Sequence, residues 1–244
     1  MAVEYFTHLG VAFMSPRGRK SGTSTEFSIS EVVNEETDKL LQQVNEEGDF
    51  GKQKQELFKA LPFRKFGIYP ALAHIIPNSV HRKPDTLKCI AMFAGATATD
   101  EVVHHLNNIG NVMNMQHNAH SSYDNLEWGI EAKEEGGEVK YIFRLVPTDP
   151  GIRGMGIITL RDDDEIRFGR GPEGKKLGNG PLPNICNLQL AVARVLKMSG
   201  AADIILEWKD HADDDGLYRL FIASEEFCDM LDAKLFLSGR AVVA

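Results

Sequence analysis

Three cysteines in 244 residues, Cys89, Cys186 and Cys228, are too few and too far apart for a disulfide framework or a CxxC zinc knuckle. They read as small buried hydrophobes of a reducing compartment. Long apolar runs are missing as well. No stretch reaches the roughly 18 residues that a membrane-spanning helix needs, and MAVEYFTHLGVAFMSPRGRK has no basic stretch followed by an apolar core and a small-residue cleavage site. The expectation is a soluble intracellular protein, cytoplasmic or nuclear, without a membrane partner. Positive charge is in short supply: 27 Lys+Arg stand against 35 Asp+Glu, a formal charge of −8. The whole molecule therefore repels a polyanion, and no broad basic face is there to neutralise phosphates. That counts against general DNA binding. A metal-dependent phosphodiesterase stays open, because a bound divalent cation supplies positive charge locally.

No repeat of solenoid or propeller period and no low-complexity tract is present. The 43% hydrophobic content suits an ordinary globular chain of one large or two small domains. Residues 4–13 mix apolar and polar positions like a strand, and SPRGRKSGTS is a basic loop. ISEVVNEETDKLLQQVNEE has helical apolar spacing with Ser30 as N-cap, and KQKQELFKAL is a short helix ended by Pro62. EVKYIFRLV and MGIITLRD read as two strands joined by PTDPGIRG, and EIRFGRGPEGKKLGNGPLP as a surface loop. NICNLQLAVARVLKMSG reads as a helix closed by Gly200, followed by a helix from Ala201 to Asp210 that DHADDDG closes. The apolar clusters between Leu217 and Ala244 are expected to pack back on the body.

The chemistry concentrates between Phe63 and Glu131. Asn118 is a fitting N-cap for a helix from about Ala119, on which His120 and Asp124 stand at i and i+4, on one face. An imidazole with a carboxylate suits Mg²⁺, Mn²⁺ or Zn²⁺. Such a pair is also common on solvated helix faces. Upstream, ALAHIIP sets His74 at the end of a strand-like run closed by Pro77. Alone it reads as a satisfied strand-end histidine; facing the helix pair it is a general base for a water aimed at phosphorus. Asn111 stands nine positions before His120 and ties a turn. Tyr123 and Trp128 read as core anchors, while His81, His104, His105 and His117 read as surface or packing residues.

AHIIP followed by N-x(8)-H-x(2)-Y-D, within NVMNMQHNAHSSYDNLEW, resembles the pattern of the His-Asn-His (HNH) nuclease superfamily, in particular its fungal AHIIP group. GPLPNICNLQLAVARVLKMSGAAD is similar to the C-terminal region of that group. The likeness covers roughly residues 60–211. It implies an α+β fold in which a ββα-metal (His-Me finger) core, residues 61–135, is embedded among additional strands and C-terminal helices. Residues 1–60 are unplaced, and 136–244 form a β-hairpin and helical region packed on the core. It further implies His74 as general base, Asn111 as the residue that orients it, and His120 with Asp124 as ligands of one divalent ion. The substrate would be nucleic acid, DNA first.

Two departures accompany the likeness. Ala73 stands where the wider superfamily often has a further metal ligand, which predicts weak metal binding. The stretch FKALPFRKFGIYP is shortened and lacks the Arg-Asp-Gly-x-Arg-Cys strand of the group, which predicts an altered strand pair under the base. Arg167, Arg170, Lys175 and Lys176 gather four cations in a glycine-rich stretch that either follows a phosphate backbone or is a solvated loop. The other reading of the whole chain keeps the scaffold and discards the nuclease. It makes the protein a small-molecule enzyme or binding protein of fungal specialised metabolism, or a degenerate copy kept for interaction.

Overall fold

The computed structural model describes residues 2–14, 70–77, 80, 84–146, 160–169, 180–215 and 223–239. The helices expected over 29–47 and 52–61, the loops over 15–24 and 147–154, the run 155–159 and most of LYRLFIA lie outside the described residues.

The architecture is α+β. In chain order come α1 (Ala2–Met14), β1 (Pro70–His74), α2 (Pro84–Ala94) and α3 (Ala96–His105). A 3-10 turn (Ile109–Asn111), β2 (Val112–Gln116) and α4 (His117–Asp124) follow. Then come β3 (Trp128–Glu135), β4 (Glu138–Leu145), β5 (Glu165–Ile166), α5 (Pro183–Ser199), α6 (Ala201–Asp215) and α7 (Glu225–Leu237).

The first segment corrects the sequence reading: residues 4–13 are helical, within α1. From Phe6 to Met14 every side is buried except at His8. Its few polar residues, Glu4, Thr7 and His8, do recur at helical spacing, but in so short and apolar a segment they are too few to mark a helix against a strand. α1 packs on α2, α6 and α7, and one hydrophobic cluster runs from Phe6 and Leu9 through Ile75, Trp128 and Phe143 to Leu196, Ile205 and Phe227. It draws on all three segments distinguished in the sequence.

Among the described residues two antiparallel sheets form. β1 and β2 pair from Pro70↔Gln116 to His74↔Val112. β3 and β4 make a hairpin whose two-residue turn is Gly136–Gly137, φ +65° and +83°, a pair of left-handed positions that glycine fills without strain. Among the described residues β4 also pairs with the short β5; of the run MGIITLRD only the end is described, where Leu160 and Arg161 are irregular and Asp162–Asp163 turn.

Among the described residues β3 is a sheet edge, and α5 covers it. The Asn187 amide accepts from Ala132 N–H (2.8 Å) and donates to Ala132 C=O (3.0 Å), as a neighbouring strand would. The helix comes this close because Gly129 has no side chain: a Cβ there would stand 2.7 Å from Gln189 Oε1 and 3.2 Å from Leu190 Cβ. Gly129→Ala is therefore expected to cost about 1–3 kcal/mol as overpacking. A urea midpoint unchanged from wild type would show that the α5 approach is looser than described.

The C-terminal helices follow the sequence with one difference. α5 ends at Gly200, φ +80°. α6 continues through the acidic run to Asp215 rather than closing at Asp210. In α7, Ser224 caps the Phe227 N–H at 3.2 Å, and Phe227, Leu231 and Leu235 face inward. Cys89 and Cys186 are buried, Cys228 half-buried, and all three are free.

Candidate functional site

β2 runs into α4 without a linker, so the helix starts at His117 with Gln116 as a cap residue that makes no side-chain capping bond. The expected cap, Asn118, is instead an exposed residue of the first turn. The register of the two candidate ligands survives this shift. His120 Nε2 and Asp124 Oδ1 lie 3.6 Å apart, with side chains 26% and 31% exposed. α4 packs on both β1 and β2. Its far end is anchored by Tyr123 and Trp128, whose rings meet edge-on at 4.9 Å. The Trp128 indole N–H donates to Ala119 C=O at 3.0 Å. Burial pushes the Tyr123 phenol well above its ordinary range, so it stays neutral in the core.

His74, half-buried, closes β1. The chain that leaves it is fixed by Asn111, whose side chain is fully buried. Asn111 Oδ1 accepts from Ile76 N–H at 2.8 Å, and its Nδ2 donates to Ile76 C=O at 2.9 Å and to Leu106 C=O at 3.1 Å. Its own carbonyl accepts from Ile75 N–H at 2.9 Å. One amide thus ties the exit of β1 to the end of α3 and to the start of β2. The 3-10 turn that carries it is held from outside by Leu182 N–H donating to Gly110 C=O at 2.8 Å.

The β1–β2 register adds two polar residues that sequence reasoning missed, Asn114 and Gln116. Paired residues share a face and alternate residues return to it. His74, Val112, Asn114 and Gln116 therefore stand on one face, and Ala73, Met113 and Met115 on the other. Asn114 is the diagonal neighbour of His74, about 7–8 Å away along the ribbon. The alternation in VMNMQ was visible in the sequence; the register that gives it meaning was not.

Coordination chemistry tests the His120–Asp124 pair. Donors on neighbouring vertices around an ion at about 2.1 Å stand about 3.0 Å apart in octahedral and about 3.4 Å in tetrahedral geometry. The observed 3.6 Å needs a small closure, and the open face leaves room for water or phosphate oxygens. Among the described residues, no group of three or more His, Cys, Asp or Glu gathers as a metal cluster, so of these residues only the pair would serve as ligands.

The cationic stretch is divided. Arg167 is exposed and its guanidinium holds both oxygens of Glu165, at 2.9 and 3.1 Å. It follows β5, on the other sheet from His74. Next to it Phe168 packs edge-on against Tyr141 at 4.9 Å, so the start of the stretch is pinned by an aromatic rather than solvated throughout. Arg170, Lys175 and Lys176 lie outside the described residues. His104 is exposed, its Nδ1 2.7 Å from Asp100 C=O. No helix among the described residues is long and apolar enough to cross a membrane. Comparison with family models, curated proteins and solved structures finds no match to this chain.

Proposed function

We propose that the chain is a metal-dependent phosphodiesterase of the His-Asn-His type, acting on nucleic acid and DNA first, with a ββα-metal core made of β1, β2 and α4. One observation carries the reading: the helix that brings His120 and Asp124 within 3.6 Å of each other packs on the ribbon whose end bears His74. In this mechanism His74 accepts the proton of the attacking water. Asn111 keeps the imidazole's backbone in place by clamping residues 75 and 76. His120 and Asp124 hold Mg²⁺, Mn²⁺ or Zn²⁺, and a bound divalent ion supplies charge stabilisation at the scissile phosphate and leaving oxygen. Cleavage of plasmid DNA with Mg²⁺ or Mn²⁺, abolished by EDTA, is the expected result. Wild-type protein that cuts neither DNA nor RNA, single- or double-stranded, with several divalent ions sinks the reading.

A second reading, a small-molecule enzyme or binding protein on the same scaffold or a degenerate interaction protein, is favoured by the charge distribution. Lys133, Lys140, Arg144, Arg167, Lys197 and Lys234 are each paired with a carboxylate, so they gather no positive field for a polyanion. The two readings part at the 167–176 stretch. Changing Arg167 alone to Ala should leave DNA affinity unaltered, because Glu165 already offsets its charge. Changing Arg167, Arg170, Lys175 and Lys176 together should weaken binding and flatten its salt dependence. An unaltered salt slope in the fourfold variant removes this stretch from the mechanism.

A further inference from the structure

Away from α4, a cavity of about 520 Å³ opens where α1, α2 and the start of α7 meet. We propose that this cavity binds a small organic ammonium ion with an apolar body, its charge facing the carboxylates of the rim and its N–H groups reaching Thr7 and His8.

The volume is that of a small-molecule site, about 300–1,000 Å³. The walls are chemically divided. Tyr5, Cys89, Met92, Ala223 and Cys228 make an apolar lining, while Glu4, Asp85, Glu225 and Asp229 bring negative charge to the same space. Lys88, a cation of the lining, stands 3.6 Å from Asp85. Glu4, Glu225 and Asp229 have no ion pair among the described residues, so the cavity carries an excess of negative charge that favours a cation.

The acidic rim alone would be a solvated surface; the buried polar group behind it points to a ligand. Thr7, 1% exposed, lines the cavity, and its hydroxyl has no partner of hydrogen-bond geometry. The Cys228 thiol interacts with it, but a thiol is a weak hydrogen-bond partner. A buried hydroxyl without a bond costs free energy in the empty protein, and an ammonium N–H would satisfy it. Burial holds the His8 imidazole below its ordinary value, so at neutral pH it keeps a lone pair that accepts a second N–H. Burial also pushes the Cys89 thiol up to about 12, so Cys89 adds apolar surface rather than a thiolate. Neither His74 nor α4 takes part, and the site stands or falls independently of nuclease activity.

Titration of the full chain with 2-phenylethylammonium, and in parallel with its neutral and anionic counterparts 2-phenylethanol and 3-phenylpropionate, tests the proposal by calorimetry. At low salt the amine should bind about tenfold more tightly than the alcohol, and the carboxylate should not bind. Glu225→Gln with Asp229→Asn should weaken the amine about five- to tenfold and leave the alcohol unchanged. Thr7→Val, which keeps the shape and removes the orphan hydroxyl, should weaken the amine severalfold while raising Tm. An amine that binds no better than the alcohol to wild-type protein, or whose affinity survives both sets of substitutions, overturns it.

Discussion

His74→Ala should lower metal-dependent cleavage by about 10²–10⁴-fold, the range typical for loss of a positioned general base, while leaving the fold intact. The imidazole is at the end of β1, half-buried, and the backbone on either side of it is held without it: Val112 pairs with it in the ribbon, and Asn111 clamps Ile75 and Ile76. The variant should therefore unfold at nearly the wild-type urea concentration and bind metal as wild type does. His120→Ala should fail differently. It leaves Asp124 as the remaining protein donor of the pair, so the loss lies in metal occupancy, and excess Mn²⁺ should restore part of the rate. The contrast separates the two roles: a base cannot be replaced by more metal, whereas a ligand in part can. If His74→Ala cuts at the wild-type rate, or its loss is rescued by Mn²⁺ as that of His120→Ala is, the assignment of the base is wrong.

The sequence was most legible where local chemistry decides structure. β1 stops before Pro77, α5 stops at Gly200, and His120 with Asp124 keep their i, i+4 relation whichever residue starts the helix. It was misleading where tertiary contacts decide. α1 packs on α2, α6 and α7, so most of its surface is apolar and its short polar set, Glu4, Thr7 and His8, is too small to separate helix from strand in the sequence. The Asn118 cap gave way because β2 continues straight into α4, leaving no room for a separate cap residue. Arg167 reads as a free cation in the sequence because an i, i+2 spacing does not by itself show that the Glu165 carboxylate meets its guanidinium. The cavity between α1, α2 and α7 could not be read from the chain, since its lining comes from positions 4–8, 85–92 and 223–229.

Asn111 gives the largest expected effect on stability. It is fully buried and serves three backbone groups through one amide: Ile76 N–H, Ile76 C=O and Leu106 C=O. Asn111→Ala orphans all three, and each unsatisfied buried group costs about 1–3 kcal/mol. A total loss on the order of 3–5 kcal/mol is expected, with water entering the vacated space to hold it toward the lower figure. Against a typical stability of about 5–15 kcal/mol that is a severe defect, measurable as a large drop in the urea midpoint.

Asn111→Asp is the sharper test because it preserves shape. Its carboxylate still accepts from Ile76 N–H but faces two carbonyl oxygens where the amide donated. Burial and those oxygens both disfavour the charge, so the folded-state pKa must lie above the unfolded value of about 3.9. The folded state then binds the proton more tightly than the unfolded chain. Stability relative to wild type is greatest below about pH 4 and falls as pH rises through the raised folded pKa. In the protonated form the single O–H satisfies one carbonyl, so even at low pH the variant remains less stable than wild type. Urea midpoints of both proteins at pH 4, 5.5 and 7 should show a deficit that widens with pH. A deficit that stays constant over that range would mean the side chain at 111 does not face the carbonyls of Ile76 and Leu106, and the clamp behind His74 would have to be rebuilt from other residues.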